Sequence, residues 1–136
     1  MASPQAKVLV VDDDPAHLEI YGLLIRQAGL EPVPALVRFA GLEVPKDEPI
    51  GLVLLDYRLN SLKTSAELAK EIREAYPAAP IILLSDVWSL PDDMEPYAAE
   101  FVRKGHPSKL LEVLRRYLLR PEDRDSGGRE DVEPSR

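Results

Sequence analysis

The chain is 136 residues long, 45% hydrophobic, and carries a formal net charge of -7 with no cysteine. That length fits one domain with a real core. The missing cysteines exclude a disulfide frame or a thiolate metal site, and an acidic balance without a basic stripe argues against direct nucleic-acid binding.

In chain order, short apolar runs alternate with amphipathic stretches. The opening, MASPQAK, lacks the apolar centre of a signal peptide, and residues 1–6 are read as a flexible start. Lys7 to Val11 (KVLVV) is a β-branched run, read as a buried strand. Pro15 to Ala28 follows with Leu18, Tyr21, Ile25 and Ala28 at helical spacing. Pro15 suits a first helical turn and Gly29 a stop. Glu31 to Val37 reads as a second strand. Its Pro32 and Pro34 cannot donate to a ladder, which predicts an edge position.

A short, weak helix is predicted over Phe39 to Val44. Ile50 to Leu55 (IGLVLL) is a third strand running into Asp56. Ser65 to Tyr76 reads as a helix with Leu68, Ala69, Ile72 and Tyr76 facing inward. Pro80 to Leu84 is a fourth strand and Glu100 to Arg103 a short fifth. The last helix is predicted from Pro107 to Leu119 on an apolar face of Leu110, Val113, Leu114, Tyr117 and Leu118. Beyond it, residues 121–136 hold one aliphatic side chain, Val132. They are read as a disordered tail or linker stub after a domain spanning residues 7–120. No apolar run approaches the length of a membrane span, so a soluble cytoplasmic protein is expected.

Repeated strand–helix alternation predicts an α/β fold: a doubly wound five-stranded parallel sheet with helices on both faces. The flavodoxin-like order 2-1-3-4-5 places the proline-bearing second strand at an edge, and five helices are expected. Between the fourth and fifth strands, Pro91 and Pro96 predict a short or irregular fourth helix.

In such a sheet, ligands bind beyond the carboxyl ends of the strands. Strand one ends in Asp12 and Asp13, strand three in Asp56, strand four in Ser85, and strand five leads into Lys104. Two carboxylates about 4 Å apart repel by roughly 4 kcal/mol at an effective dielectric near 20. A cluster of them therefore requires raised pKa values, a lysine or a divalent cation, and an all-oxygen set with open positions suits Mg²⁺. Asp14 is better explained as the cap of the helix that Pro15 opens. His17 and His106 are read as surface residues, and Trp88 as either a core anchor or an exposed contact.

The blocks KVLVVDDDP (Lys7 to Pro15), LVLLD (Leu52 to Asp56), IILLS (Ile81 to Ser85) and FVRK (Phe101 to Lys104) resemble the four motif blocks of response-regulator receiver domains. The resemblance runs from about Lys7 to Leu119. It implies a two-component phosphorelay switch rather than an enzyme with an external substrate. Asp56 would take a phosphoryl group. Asp13 would bind Mg²⁺ directly, Asp12 directly or through water, and the backbone carbonyl of Arg58 would be a third protein ligand. Lys104 would pair with phosphoryl oxygens, Ser85 would hydrogen-bond them, and Phe101 matches the switch aromatic. The implied partners are a histidine kinase or histidine phosphotransfer protein and a downstream protein target. A homodimer through the face of the fourth and fifth helices is a further implication.

Three features depart from the family pattern. Gly105 stands where a proline usually follows the lysine. Asp86 follows Ser85 where a small residue is usual. The interval from Ser85 to Lys104 is a few residues shorter than usual. Two alternatives remain: a receiver-like docking module that is never phosphorylated, or a receiver fragment of a longer regulator. An aspartyl phosphatase is disfavoured, because the position two residues after Asp56 is Arg58 rather than an acid.

Overall fold

A computed structural model describes residues 7–118, with the side chain of Leu118 excepted. The predicted flexible start (1–6) and polar tail (121–136) lie outside the described residues. Five parallel strands form one sheet: β1 (Lys7–Asp12), β2 (Glu31–Leu36), β3 (Ile50–Asp56), β4 (Ile81–Ser85) and β5 (Ala98–Arg103), in the order β2-β1-β3-β4-β5. Three α-helices accompany them: α1 (Pro15–Gln27), α2 (Ser65–Ala75) and α3 (Pro107–Leu118). None of them is long and apolar enough to cross a membrane.

The edge position of β2 follows from its prolines. The Val37 N–H donates to the Asp12 carbonyl at 2.8 Å. N–H groups two residues apart point the same way along a strand. The missing donors at Pro32 and Pro34 therefore fall on the free side of the sheet, where they cost no ladder bond. The three central strands are apolar on both faces. Val8 to Val11, Leu52 to Leu55 and Ile81 to Leu84 are all buried. One cluster lies under α1 and α3 and includes Val10, Leu54, Ile25 and Leu114. The other lies under α2 and the irregular connections and includes Val11, Leu55, Ile72 and Met94.

The expectation of five helices is corrected: three α-helices and a single 3-10 turn occur among the described residues. The predicted helix over Phe39 to Val44 is a tight turn instead, closed by reciprocal Arg38–Gly41 backbone bonds at 3.0 and 2.9 Å. Gly41 sits at φ +138°, far from helical values, and Phe39 stays exposed. Leu42 and Val44 still pack against the core from this turn, and a segment this short does not meet the cost of helix nucleation. Between β4 and β5 the expected short helix is reduced to the 3-10 turn at Asp92–Met94, bounded by Pro91 and closely followed by Pro96. The surface suggested for self-association thus lacks its fourth α-helix and is built from that turn, β5 and α3. β5 also begins earlier than predicted, at Ala98, by pairing with Ile81.

Candidate functional site

The carboxyl ends of β1, β3 and β4 carry their burial one residue past the apolar run. Asp12, Asp56 and Ser85 are as inaccessible as the valines and leucines before them. Register explains the meeting. Asp56 lies opposite Leu84 on β4, and Ser85 opposite Arg103 on β5. Oxygens of Asp12, Asp13 and Asp56 all lie within 4.8 Å of one another, close enough to hold a metal ion.

Each acid has a distinct environment. One Asp12 oxygen accepts the Asp14 N–H at 3.0 Å, while the other, Oδ2, is buried with no hydrogen-bond partner. Burial first, and then the Asp56 charge, push the Asp12 carboxyl up to about 6. Asp13 Oδ2 accepts the Asn60 N–H at 2.9 Å, which ties the β3–α2 loop to the end of β1. The Asp56 Oδ1 lies 2.8 Å from the Lys104 ammonium. Burial raises the Asp56 carboxyl against the opposing pull of Lys104. Burial alone would depress the Lys104 ammonium, but Asp56 lifts it above its ordinary value. A buried oxygen that accepts no hydrogen bond, beside two further acids, is a set that a hard dication satisfies.

Lys104 reaches Asp56 although no proline follows it. Its N–H donates to the Ser85 carbonyl at 2.8 Å, which pins the end of β5 to β4, and Gly105 makes the turn at φ +86°. Ser85 Oγ accepts the Val87 N–H at 3.2 Å. Phe101, opposite Leu83 on β4, packs half-buried against the cluster under α2. Asp14 caps α1, its side chain accepting the Ala16 N–H at 2.9 Å. Arg58 leaves the end of β3 with its side chain in solvent, and its Nε donates to Asp86 Oδ1 at 2.9 Å.

Two neighbours of the site escaped the sequence reading. His17, expected on the surface away from any chemistry, sits with Nδ1 3.3 Å from Asp12 Oδ2 and Nε2 3.5 Å from Asp14 Oδ2. Its place in the first turn of α1, directly beyond three acids, was the available signal. The Arg58–Asp86 pair joins loops 28 residues apart and had no local signal at all. Trp88 proves to be an exposed contact, 83% accessible, with the Arg103 guanidinium 4.1 Å from its ring centroid. His106 is exposed.

Known proteins share this architecture. The transcriptional regulatory protein GlrR of Escherichia coli strain K12 is 35% identical over 92 residues, covering 68% of this chain and 20% of that protein. The transcriptional regulatory protein ZraR of Klebsiella oxytoca is 30% identical over 114 residues, covering 84% of this chain and 24% of that one. The chain thus spans about a fifth to a quarter of the length of these curated relatives. Among solved structures, a CheY-like receiver domain protein from Methanospirillum hungatei JF-1 superposes with a TM-score of 0.70 at 22% identity. It covers 88% of this chain and 98% of that one, a likeness of fold alone. The Thermotoga maritima response regulator DrrB gives a TM-score of 0.69 at 26% identity, over 87% of this chain and 54% of that one. A family model described as the response regulator receiver domain matches residues 8–115. With most of its length matched by that model and the same sheet beneath it, the chain belongs to the response regulator receiver domain family.

Proposed function

We propose that this domain accepts a phosphoryl group on Asp56 in a Mg²⁺-dependent phosphorelay and signals by a change of conformation. The observation that carries this reading is the Lys104 ammonium 2.8 Å from Asp56 Oδ1, beside the Asp12–Asp13–Asp56 oxygen cluster. The donor would be a phosphohistidine on a kinase or phosphotransfer protein. An Asp56 carboxylate oxygen attacks phosphorus, the P–N bond breaks, and the imidazole leaves with the electron pair. Phosphoryl transfer calls for positioning and neutralisation of oxygen charge more than for covalent chemistry. Lys104 supplies one positive charge where the phosphoryl oxygens arrive. Asp12, Asp13, Asp56 and the carbonyl of Arg58 would hold the Mg²⁺. The chemistry a bound cation would supply there is neutralisation of the charge developing on the phosphoryl oxygens.

The modified Asp56 carries close to two negative charges and three strong acceptors. Ser85, whose hydroxyl hydrogen remains available while Oγ accepts from Val87, would donate to one of them. That draws the start of the β4–β5 connection inward, and Phe101 on the adjacent strand adjusts with it. The output is contact with a downstream protein target, and the domain is a switch rather than an enzyme with an external substrate. A receiver-like docking module without phosphorylation is the second reading, favoured only by Asp86 beside the site.

The test is incubation with Mg²⁺ and a small phosphodonor such as acetyl phosphate, followed by intact-mass analysis. The wild type is expected to gain one phosphoryl group and Asp56→Ala none. An unmodified wild type, or equal modification of Asp56→Ala, overturns the reading.

A further inference from the structure

The geometry points to a brake on this site: Asp86 holds the Arg58 guanidinium away from the acceptor until an incoming phosphoryl group competes for it. The inference rests on the reading of Asp56 as phosphoryl acceptor and adds a second cationic side chain, beside Lys104, that acts there.

The placement comes from the sheet. β3 and β4 are neighbours, and the Tyr57 N–H donates to the Leu84 carbonyl at 3.0 Å just where both strands end. Arg58 lies two residues beyond Asp56, and Asp86 one beyond Ser85. Their 2.9 Å contact therefore crosses from one loop to the other at the mouth of the site. Both side chains are 64% accessible, so the pair stands on the solvent side of the buried acids. Asp86 is held below the ordinary carboxylate range by Arg58 first and by Lys104 as well, the cation that meets Asp56.

The backbone on both sides of Arg58 is tied down, while its side chain is exposed and held only by Asp86 among the contacts described. Asn60 is tied to Asp13 at 2.9 Å, and the Ser65 hydroxyl donates to the Tyr57 carbonyl. The guanidinium can thus change partners without moving the loop. Its contact with Asp86 uses Nε, and a guanidinium carries five donors in a fork suited to phosphoryl oxygens. An exposed ion pair is easily broken. A phosphoryl group on Asp56 attracts Arg58 and repels Asp86, so both forces drive the exchange in one direction.

Asp86 would act only through Arg58, which separates a brake from simple repulsion of the anion. The experiment follows gain of the phosphoryl group from acetyl phosphate with Mg²⁺, by intact mass over time. It uses wild type, Asp86→Asn, Arg58→Ala, Arg58→Lys and the double variant Arg58→Ala/Asp86→Asn. Thermal unfolding of each is recorded to show that folding is intact. Asp86→Asn should react about fivefold faster and Arg58→Ala about tenfold slower, with Arg58→Lys between Arg58→Ala and wild type. The double variant should match Arg58→Ala alone. Unchanged rates in a phosphorylated series overturn the brake while leaving the acceptor reading intact. So does an Asp86→Asn acceleration that persists without Arg58, which marks plain repulsion. A wild type that takes no phosphoryl group overturns both.

Discussion

The middle of the sheet and its carboxyl rim are buried to the same depth and contribute to stability with opposite sign. Val8 to Val11, Leu52 to Leu55 and Ile81 to Leu84 are at most 3% accessible, and so are the next residues along, Asp12, Asp56 and Ser85. In the middle, burial stabilises by roughly 1.5–3 kcal/mol for each large aliphatic side chain. At the rim the same burial removes water from carboxylates and leaves Asp12 Oδ2 without a hydrogen bond, with His17 Nδ1 3.3 Å away, which is costly. The difference shows what the extra buried residue is for. Charges act on one another far more strongly where water is excluded. On the proposed reading, a rim at core depth is where Lys104 and a cation would act most strongly on a new phosphoryl charge.

The comparison can be broken from either side. The largest effect belongs to the middle: Leu54→Ala, in a fully buried position under α1 and α3, should cost about 3–4 kcal/mol in urea unfolding. A loss below about 1 kcal/mol would mean the interior is not tightly packed there.

Next comes the rim, through pH. The Asp12 carboxyl stands near 6 in the folded protein against its ordinary value of 3.8. Between those values the folded state holds more protons than the unfolded chain. Stability from this group is then fully present below the ordinary value, falls as pH rises from about 4 to 6, and stays low above that. The fall amounts to no more than about 3 kcal/mol. Urea unfolding without divalent cation should show Asp12→Asn more stable than wild type at neutral pH. That advantage should shrink toward about pH 4.5, and Mg²⁺ should narrow it at neutral pH. A variant with no advantage at neutral pH would remove the cost assigned to the rim.

The smallest effect sharpens the boundary between the two. Thr64 and Glu67 form a reciprocal capping box at the start of α2, on the far side of the loop that carries Arg58 and Asn60. Thr64→Ala should cost about 1 kcal/mol. It should leave the proposed phosphorylation of Asp56 within twofold of wild type if the loop is held by the Asn60–Asp13 contact rather than by the start of the helix.

How much of this was legible depends on the kind of interaction. Alternating apolar runs reported the five strands, and Pro32 and Pro34 reported the edge, because burial and ladder donation are properties of single residues repeated at a fixed period. The acids, hydroxyl and lysine of the rim could be read because each ends a strand or directly follows one. A parallel sheet brings strand ends together whatever the loops do. The helix expected over Phe39 to Val44 is a turn, and the one between β4 and β5, expected to be short or irregular, is a 3-10 turn. In those segments a single residue in a non-helical conformation or a proline outweighs weak periodicity.

The sequence by itself determined the sheet, its order, and which residues stand at its carboxyl end. Tertiary structure alone decided that His17 faces Asp12 and Asp14, that Arg58 meets Asp86, and that Trp88 stacks in solvent against Arg103. The physical reason is one of range. Periodicity records whether a residue avoids water, a local and additive quantity. Which polar side chains meet depends on strand register and on the path of loops whose residues carry no period.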